Sequence, residues 1–280
     1  MTHDEAFIQA IREAPHEDAP RLIYADWLEE HGQADRAEFI RVQGRLARMP
    51  DAVEQATWTA RAEELLRRHW EEWVGLLREI VGPWRDRYGE SWLGEAYHPD
   101  ALRRFVRGFV GELALDAERF LRHVRDVNRL MPLHTLSLWR AGHCAAALAN
   151  TPELRGLVKL AFADYYDAPL TARDATALAS SPYLGGLSLL FLARNSLGDE
   201  GVEALARAPW LISLTYLDLS DNGLSDRGAR ALAASPYLVN LQTLHLERNY
   251  LSSDGVAALT YSPYLRLNRL EHASFPRMLR

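Results

Sequence analysis

Cysteine is almost missing from this chain of 280 residues: Cys144 stands alone, which excludes an internal disulfide and leaves zinc-finger ligand sets without their paired thiolates. Lysine is equally scarce, Lys159 being the only one among 32 basic side chains. No apolar run approaches the roughly 18 residues that a membrane span requires, so no membrane association is expected. The opening MTHDEAFIQAIREAP is acidic and amphipathic, without the basic segment and unbroken apolar core of a secretion signal, and a cytoplasmic address is expected. Positive charge is not in excess. The formal net charge is −6, and residues 1–109 hold the whole imbalance with 15 basic and 21 acidic side chains, against 17 of each in 110–280. A nucleic-acid partner is therefore not expected, because phosphate backbones are met by basic patches.

Catalytic patterns are missing as well. The chain contains no G-x-x-x-x-G-K-[ST], no H-E-x-x-H and no G-x-S-x-G, so no phosphate cradle, metalloprotease helix or nucleophile elbow is encoded, and no cofactor, metal or catalytic residue is expected. Three residues carry groups that catalysis could use. Cys144 follows His143 but begins the apolar run CAAALA, which suits a buried, inert thiol. Asp26 sits among Tyr24, Trp27 and Leu28, where a helix-to-helix hydrogen bond explains it better than a perturbed acid, and His69 lies on an apolar helical stripe, as a satisfied core histidine would.

What the chain does have is an internal echo. DLSDNGLSDRGARALAASPYL (218–238) returns as HLERNYLSSDGVAALTYSPYL (245–265), and Asn195, Asn222 and Asn249 keep the same interval of 27 residues as Leu192, Leu219 and Leu246 and as Pro182, Pro209, Pro236 and Pro263. Each unit reads L-x-x-L-x-L-x-x-N-x-L, as in LTYLDLSDNGL and LQTLHLERNYL. The L-x-L alternation predicts a short strand; the following G-x-x-x-L-A-x-S-P predicts a helix that stops before proline. The recurring asparagine is suited to pairing backbone groups of the neighbouring turn, and the glycines at repeat positions read as turn ends. This pattern resembles the ribonuclease-inhibitor-like class of leucine-rich repeats. Weaker copies begin at Leu187, Leu157, Leu133 and Val110, the earlier ones with Glu118, Ala141 and Tyr165 at the asparagine position, and LNRLEHA (267–273) reads as a terminal half-repeat. The expectation is an α/β fold: a solenoid of about six repeats over 110–280, with parallel strands lining a concave face and helices on the convex one.

Residues 1–109 read as helical throughout. Thr2 and Glu5 fit a capping box, Pro20 suits a first helical turn, Gly32 a helix end, and the apolar spacing of 52–81 is helical in one piece or two. The stretch PRLIYADWLEEHGQADRAEFIRVQ (20–43) resembles a bacterial repeat-companion domain, and WRDRYGESWLGEAYHPDALRRFVRGFVGELALDAERFL (84–121) is similar to the joint that follows it in leucine-rich members. That resemblance implies an architecture and no catalytic residues. Two readings of the region stand: a cap over the edge of the first repeat, or a second docking module. Six of the eight tryptophans, Trp27, Trp58, Trp70, Trp73, Trp84 and Trp92, precede the repeats and fit a helical core.

If the strands line a concave face, the side chains flanking the inward leucines point to solvent. Trp139, Phe191 and Tyr216 are the expected aromatic anchors; Arg140, Arg194 and Arg248 the expected carboxylate partners; Asp218 and His245 complete the row. The functional expectation is a non-catalytic module that binds a protein partner there. The rival is an adaptor or enzyme of a modification pathway, in which the helical region acts and the repeats select substrate.

Overall fold

The computed structural model describes residues 2–15, 17–49, 52–82, 99–162 and 168–271. Trp84, Trp92, Asp164, Tyr165 and the last residues of LNRLEHA lie outside them. By internal contacts the chain divides into two compact units, one of residues 1–115 and 123–134, the other of 116–122 and 135–280.

In the first unit, helices α1 (His3–Glu13), α2 (Ala19–Glu30), α3 (Ala34–Leu46), α4 (Ala52–Arg68) and α5 (Trp70–Val81) follow one another. Thr2 and Glu5 form the capping box of α1 reciprocally, at 3.2 and 3.0 Å. The apolar stripes of the first three helices meet in a core of Ile8, Ile11, Tyr24, Leu28, Ala37 and Ile40, with Phe109 beneath them. Described tryptophans pack on rings and cations of the same unit: Trp27 against Phe7, Tyr24 and His31, Trp73 against Phe39, and Trp58 under the Arg45 guanidinium. Strands β1 (Phe105–Val106) and β2 (Phe109–Val110) form a hairpin across Arg107 and Gly108. Both turn residues have positive φ (51° and 93°), and a Cβ on Gly108 would meet Ile40 at 2.7 Å, so only glycine fits there. Strand β3 (Glu112–Asp116) and helix α6 (Ala117–Leu130) each have residues in both units, and the first turn of α6, in the second unit, is closed by Asp116 accepting from the Arg119 N–H at 3.1 Å.

The second unit alternates strand and helix: β4 (Thr135–Trp139), α7 (Ala145–Ala149), β5 (Lys159–Phe162), α8 (Ala172–Ala179), β6 (Leu189–Phe191), α9 (Gly198–Leu205), β7 (Tyr216–Asp218), α10 (Asp226–Ala233), β8 (Thr243–His245), α11 (Ser253–Thr260) and β9 (Arg269–Glu271). Strands β4 to β9 lie side by side in chain order, each parallel to the next, and each helix from α7 to α11 packs against its successor. Alternating leucines, Leu136, Leu160, Leu190, Leu217 and Leu244, are buried under the sheet, where one unit alone would leave them exposed.

Three polar ladders tie successive units together. The asparagine amides form the first. Asn195 Oδ1 accepts from the Leu170 N–H at 2.8 Å, while Asn222 donates to the Leu192 carbonyl at 2.8 Å and Asn249 to the Leu219 carbonyl at 2.9 Å. Where Ala141 replaces the asparagine, the turn is closed by backbone instead, the Gly142 N–H donating to the Ala168 carbonyl at 3.0 Å. The second ladder joins helix starts. The Asp199 carboxylate accepts from the Ser225 hydroxyl (2.6 Å) and the Gly228 N–H (2.9 Å), and Asp226 takes the Ser252 hydroxyl (2.6 Å) and N–H (2.8 Å) in the next unit. Gly201, Gly228 and Gly255 thus sit buried inside the first turns of α9, α10 and α11, which corrects their reading as turn ends. The third ladder covers helix ends: the hydroxyls of Ser181, Ser235 and Ser262 donate to the carbonyls of Ala149, Ala206 and Ala233 at 2.7, 2.6 and 2.5 Å.

Candidate functional site

Strand register fixes which side chains share the face opposite the buried leucines. One row is Thr135, Lys159, Leu189, Tyr216, Thr243 and Arg269; a second, two residues further along each strand, is Ser137, Ala161, Phe191, Asp218, His245 and Glu271. Trp139 belongs to neither. It lies two residues beyond Ser137, past the last pair that joins β4 to β5, so the structure separates it from Phe191 and Tyr216.

Phe191, Tyr216 and His245 are brought together. Tyr216 is diagonal to both of the others, within reach of large side chains. Its ring lies 4.7 Å from that of Phe191 and 5.1 Å from that of His245, and Lys159 Nζ stands 5.1 Å from the Phe191 ring centre. Ring against ring covers each of them partly, so these anchors are half-buried rather than exposed as isolated strand positions would be. Burial raises the Tyr216 phenol above its ordinary pKa, and the charges of Asp218, Glu247 and Glu271 push it the same way.

Arg140, Arg194 and Arg248 occupy one repeat position, the residue before the asparagine place of the unit, with φ of 54°, 58° and 57°; Asp221 takes the same place after β7 at 55°. A left-handed backbone is uncommon for these residue types. Here it lets the N–H continue the inter-strand ladder, Arg194 donating to the Ser220 carbonyl at 2.8 Å and Asp221 to the Glu247 carbonyl at 2.9 Å, while the side chain is thrown to the exposed rim. Arg140 lies 3.7 Å from Asp116.

The far end of the face is acidic. His245 Nδ1 is 3.2 Å from Glu247 Oε1 and 3.0 Å from Glu271 Oε2, and the Ser220 hydroxyl donates to Glu247 Oε2 at 2.8 Å. Burial opposes ionisation of Glu247, yet hydrogen bonds from its own backbone, Glu271, Ser220 and His245 outweigh it and hold the carboxyl at about 2. Strand alternation alone puts Glu247 and Glu271 on this face. Their convergence on His245 follows only when LQTLHLE is laid over LNRLEHA, which sets Glu271 opposite His245 across two strands.

The remaining sequence candidates do not assemble. Cys144 is buried, and burial followed by the charges of Glu118, Asp116 and Asp174 raises its thiol pKa, while His143, with φ of 74°, faces a hollow lined by Ala146, Pro169, Thr171 and Asp174. Asp26 is exposed and accepts from Arg41 of the neighbouring helix at 2.6 Å. His69 lies at the break between α4 and α5, bonded through Nε2 to Asp35 (2.8 Å) and through Nδ1 to Glu72 (2.7 Å), and stacked on Trp73. These three occur in different places and make no shared constellation.

The family described as Leucine Rich repeat matches the chain at residues 189–206 and 211–233. Those segments hold β6 with α9 and β7 with α10, so the units carrying Phe191 and Tyr216 are similar to leucine-rich repeats. Such repeats generally mediate protein–protein interaction and are typically non-catalytic. No curated protein matches the chain. Among the described residues, no helix is long and apolar enough to cross a membrane.

Proposed function

We propose that this chain is a non-catalytic protein-interaction module, in which the repeats stack into a solenoid and a protein partner is held on the concave face formed by strands β4 to β9. The observation that carries the reading is the stacked row Phe191–Tyr216–His245, because large, rigid, partly dehydrated rings lose little entropy on binding and are the usual hot spots of interfaces. Asp218 and the rim arginines Arg140, Arg194 and Arg248 supply charge of both signs around it, which favours a specific register over mere adhesion. Trp139, set apart from the row, would extend the contact toward the first strands. A protein suits the face better than a nucleic acid, since residues 110–280 balance 17 basic with 17 acidic side chains and the face carries Asp218, Glu247 and Glu271 where phosphate binding needs a basic patch.

Within the same reading, the repeats are of the ribonuclease-inhibitor-like class, residues 1–109 are a helical companion and cap, and the protein works in the cytoplasm. Capture from native lysate by the intact chain and by a Trp139→Ala/Phe191→Ala/Tyr216→Ala variant tests the assignment. Loss of a captured protein in a variant that keeps its circular dichroism spectrum is the expected result; equal capture by both contradicts it.

A further inference from the structure

We propose that His245, Glu247 and Glu271 form a binding site for one divalent transition-metal cation of the zinc type. The first ground is geometric. His245 and Glu247 stand at i and i+2, on one face of their strand, and Glu271 is the registered neighbour of His245 on the next strand. One ligand atom from each residue lies within 4.8 Å of the others. The contacts of His245 Nδ1 with the two carboxylate oxygens, 3.2 and 3.0 Å, are close to the ligand-to-ligand edge of about 3.3 Å that a tetrahedron of zinc bonds near 2.0–2.1 Å requires. Small side-chain rotations would therefore admit an ion at their centre.

The second ground is the pairing of the individual atoms. Each carboxylate turns one oxygen toward His245 and has the other held from outside: Glu247 Oε2 by the Ser220 hydroxyl at 2.8 Å, Glu271 Oε1 by the Arg269 guanidinium. Outer partners of this kind orient ligating carboxylates. The inner oxygens then both point at one ring nitrogen, so three potential ligand atoms converge on one place. A cation would satisfy both oxygens and the nitrogen lone pair together. The third ground is access. The side chains of His245, Glu247 and Glu271 are 16, 26 and 28% exposed, enough to leave a fourth position for water.

An imidazole with two carboxylates selects zinc, cobalt or nickel over magnesium and calcium, which call for six or more oxygens. The probe is the metal alone, so the result does not depend on any protein partner. The intact chain is titrated with Zn²⁺ by calorimetry and with Co²⁺ by visible absorption, beside His245→Ala, Glu247→Gln and Glu271→Gln variants checked for fold by circular dichroism. Expected are one saturable equivalent of Zn²⁺, a tetrahedral Co²⁺ spectrum displaced by Zn²⁺ but not by excess Mg²⁺ or Ca²⁺, and affinity at least tenfold weaker in each variant. Glu271→Gln, nearly isosteric, keeps the test valid if His245→Ala unfolds the last repeat. Absence of a saturable equivalent, full affinity in the folded variants, or displacement by Ca²⁺ at equal concentration would each overturn the proposal.

Discussion

Ala208 stands where the repeat writes serine at 181, 235 and 262, and the helix before it would lose its end cap there but for Trp210. The indole Nε1–H donates to the carbonyls of Leu178 and Ala179 at 3.2 and 3.1 Å, doing for α8 what the serines do for their helices. Trp210→Phe keeps the ring and removes the donor; the Leu178 carbonyl keeps its bond from the Ser181 N–H, but Ala179 loses the indole, so the change should cost about 0.5–1.5 kcal/mol in urea unfolding. Ala208→Ser in that background should recover part of the loss, because a hydroxyl placed as in Ser235 reaches Ala179; no recovery would mean that the indole acts by packing alone. The same scale holds a pH effect. Burial lowers the pKa of His69, but its bonds to Asp35 and Glu72 outweigh this and raise it above the ordinary 6.5. The stabilisation is therefore complete below pH ~6.5 and fades as pH rises through the higher folded value. Melting temperatures of wild type and His69→Gln should differ most below pH ~6.5 and draw together as pH rises above it. Apolar spacing made His69 look like a core residue; Asp35 is 34 positions away and nothing local in the sequence announces it.

At the scale of the element, the repeat was the most legible feature, because each period imposes the same three demands: a buried leucine, a turn satisfied by asparagine and a helix start. Leu217, Asn222 and Leu232 could be placed from spacing alone. The glycine at 201, 228 and 255 could not, since its reason lies in the preceding unit. A Cβ on Gly255 would come within 2.3 Å of Asp226 Oδ1, an oxygen already fixed by Ser252. Alanine in a helix is worth about 1 kcal/mol over glycine. Gly255→Ala should nevertheless destabilise α11 by about 1–2 kcal/mol, from loss of the aspartate contacts. In an Asp226→Ala background the sign should reverse and the substitution become stabilising. Unfolding midpoints of the four chains decide it, and a Gly255→Ala that destabilises equally in both backgrounds would show that the carboxylate is not the obstacle.

For the whole molecule, composition gave the class and the alternation gave the face, but not how its residues meet. Register separates Trp139 from Phe191 and stacks Phe191, Tyr216 and His245 diagonally, a consequence of strand pairing that no single repeat contains. The left-handed turn that carries Arg140, Arg194 and Arg248 to the rim was likewise invisible, because glycine or asparagine, not arginine, is its usual marker. The charge balance of 110–280 fits the proposal of a protein partner of mixed charge.

The most direct measurement is the affinity of the captured partner for three chains: wild type, the Trp139→Ala/Phe191→Ala/Tyr216→Ala variant, and a control with Tyr250→Ala and Tyr261→Ala, two tyrosines that are 79 and 84% exposed and lie outside the sheet strands. The account predicts a loss of at least about a hundredfold, about 2.7 kcal/mol, in the triple variant and wild-type affinity in the control. Unchanged binding by a folded triple variant, or a comparable loss in the control, would contradict it.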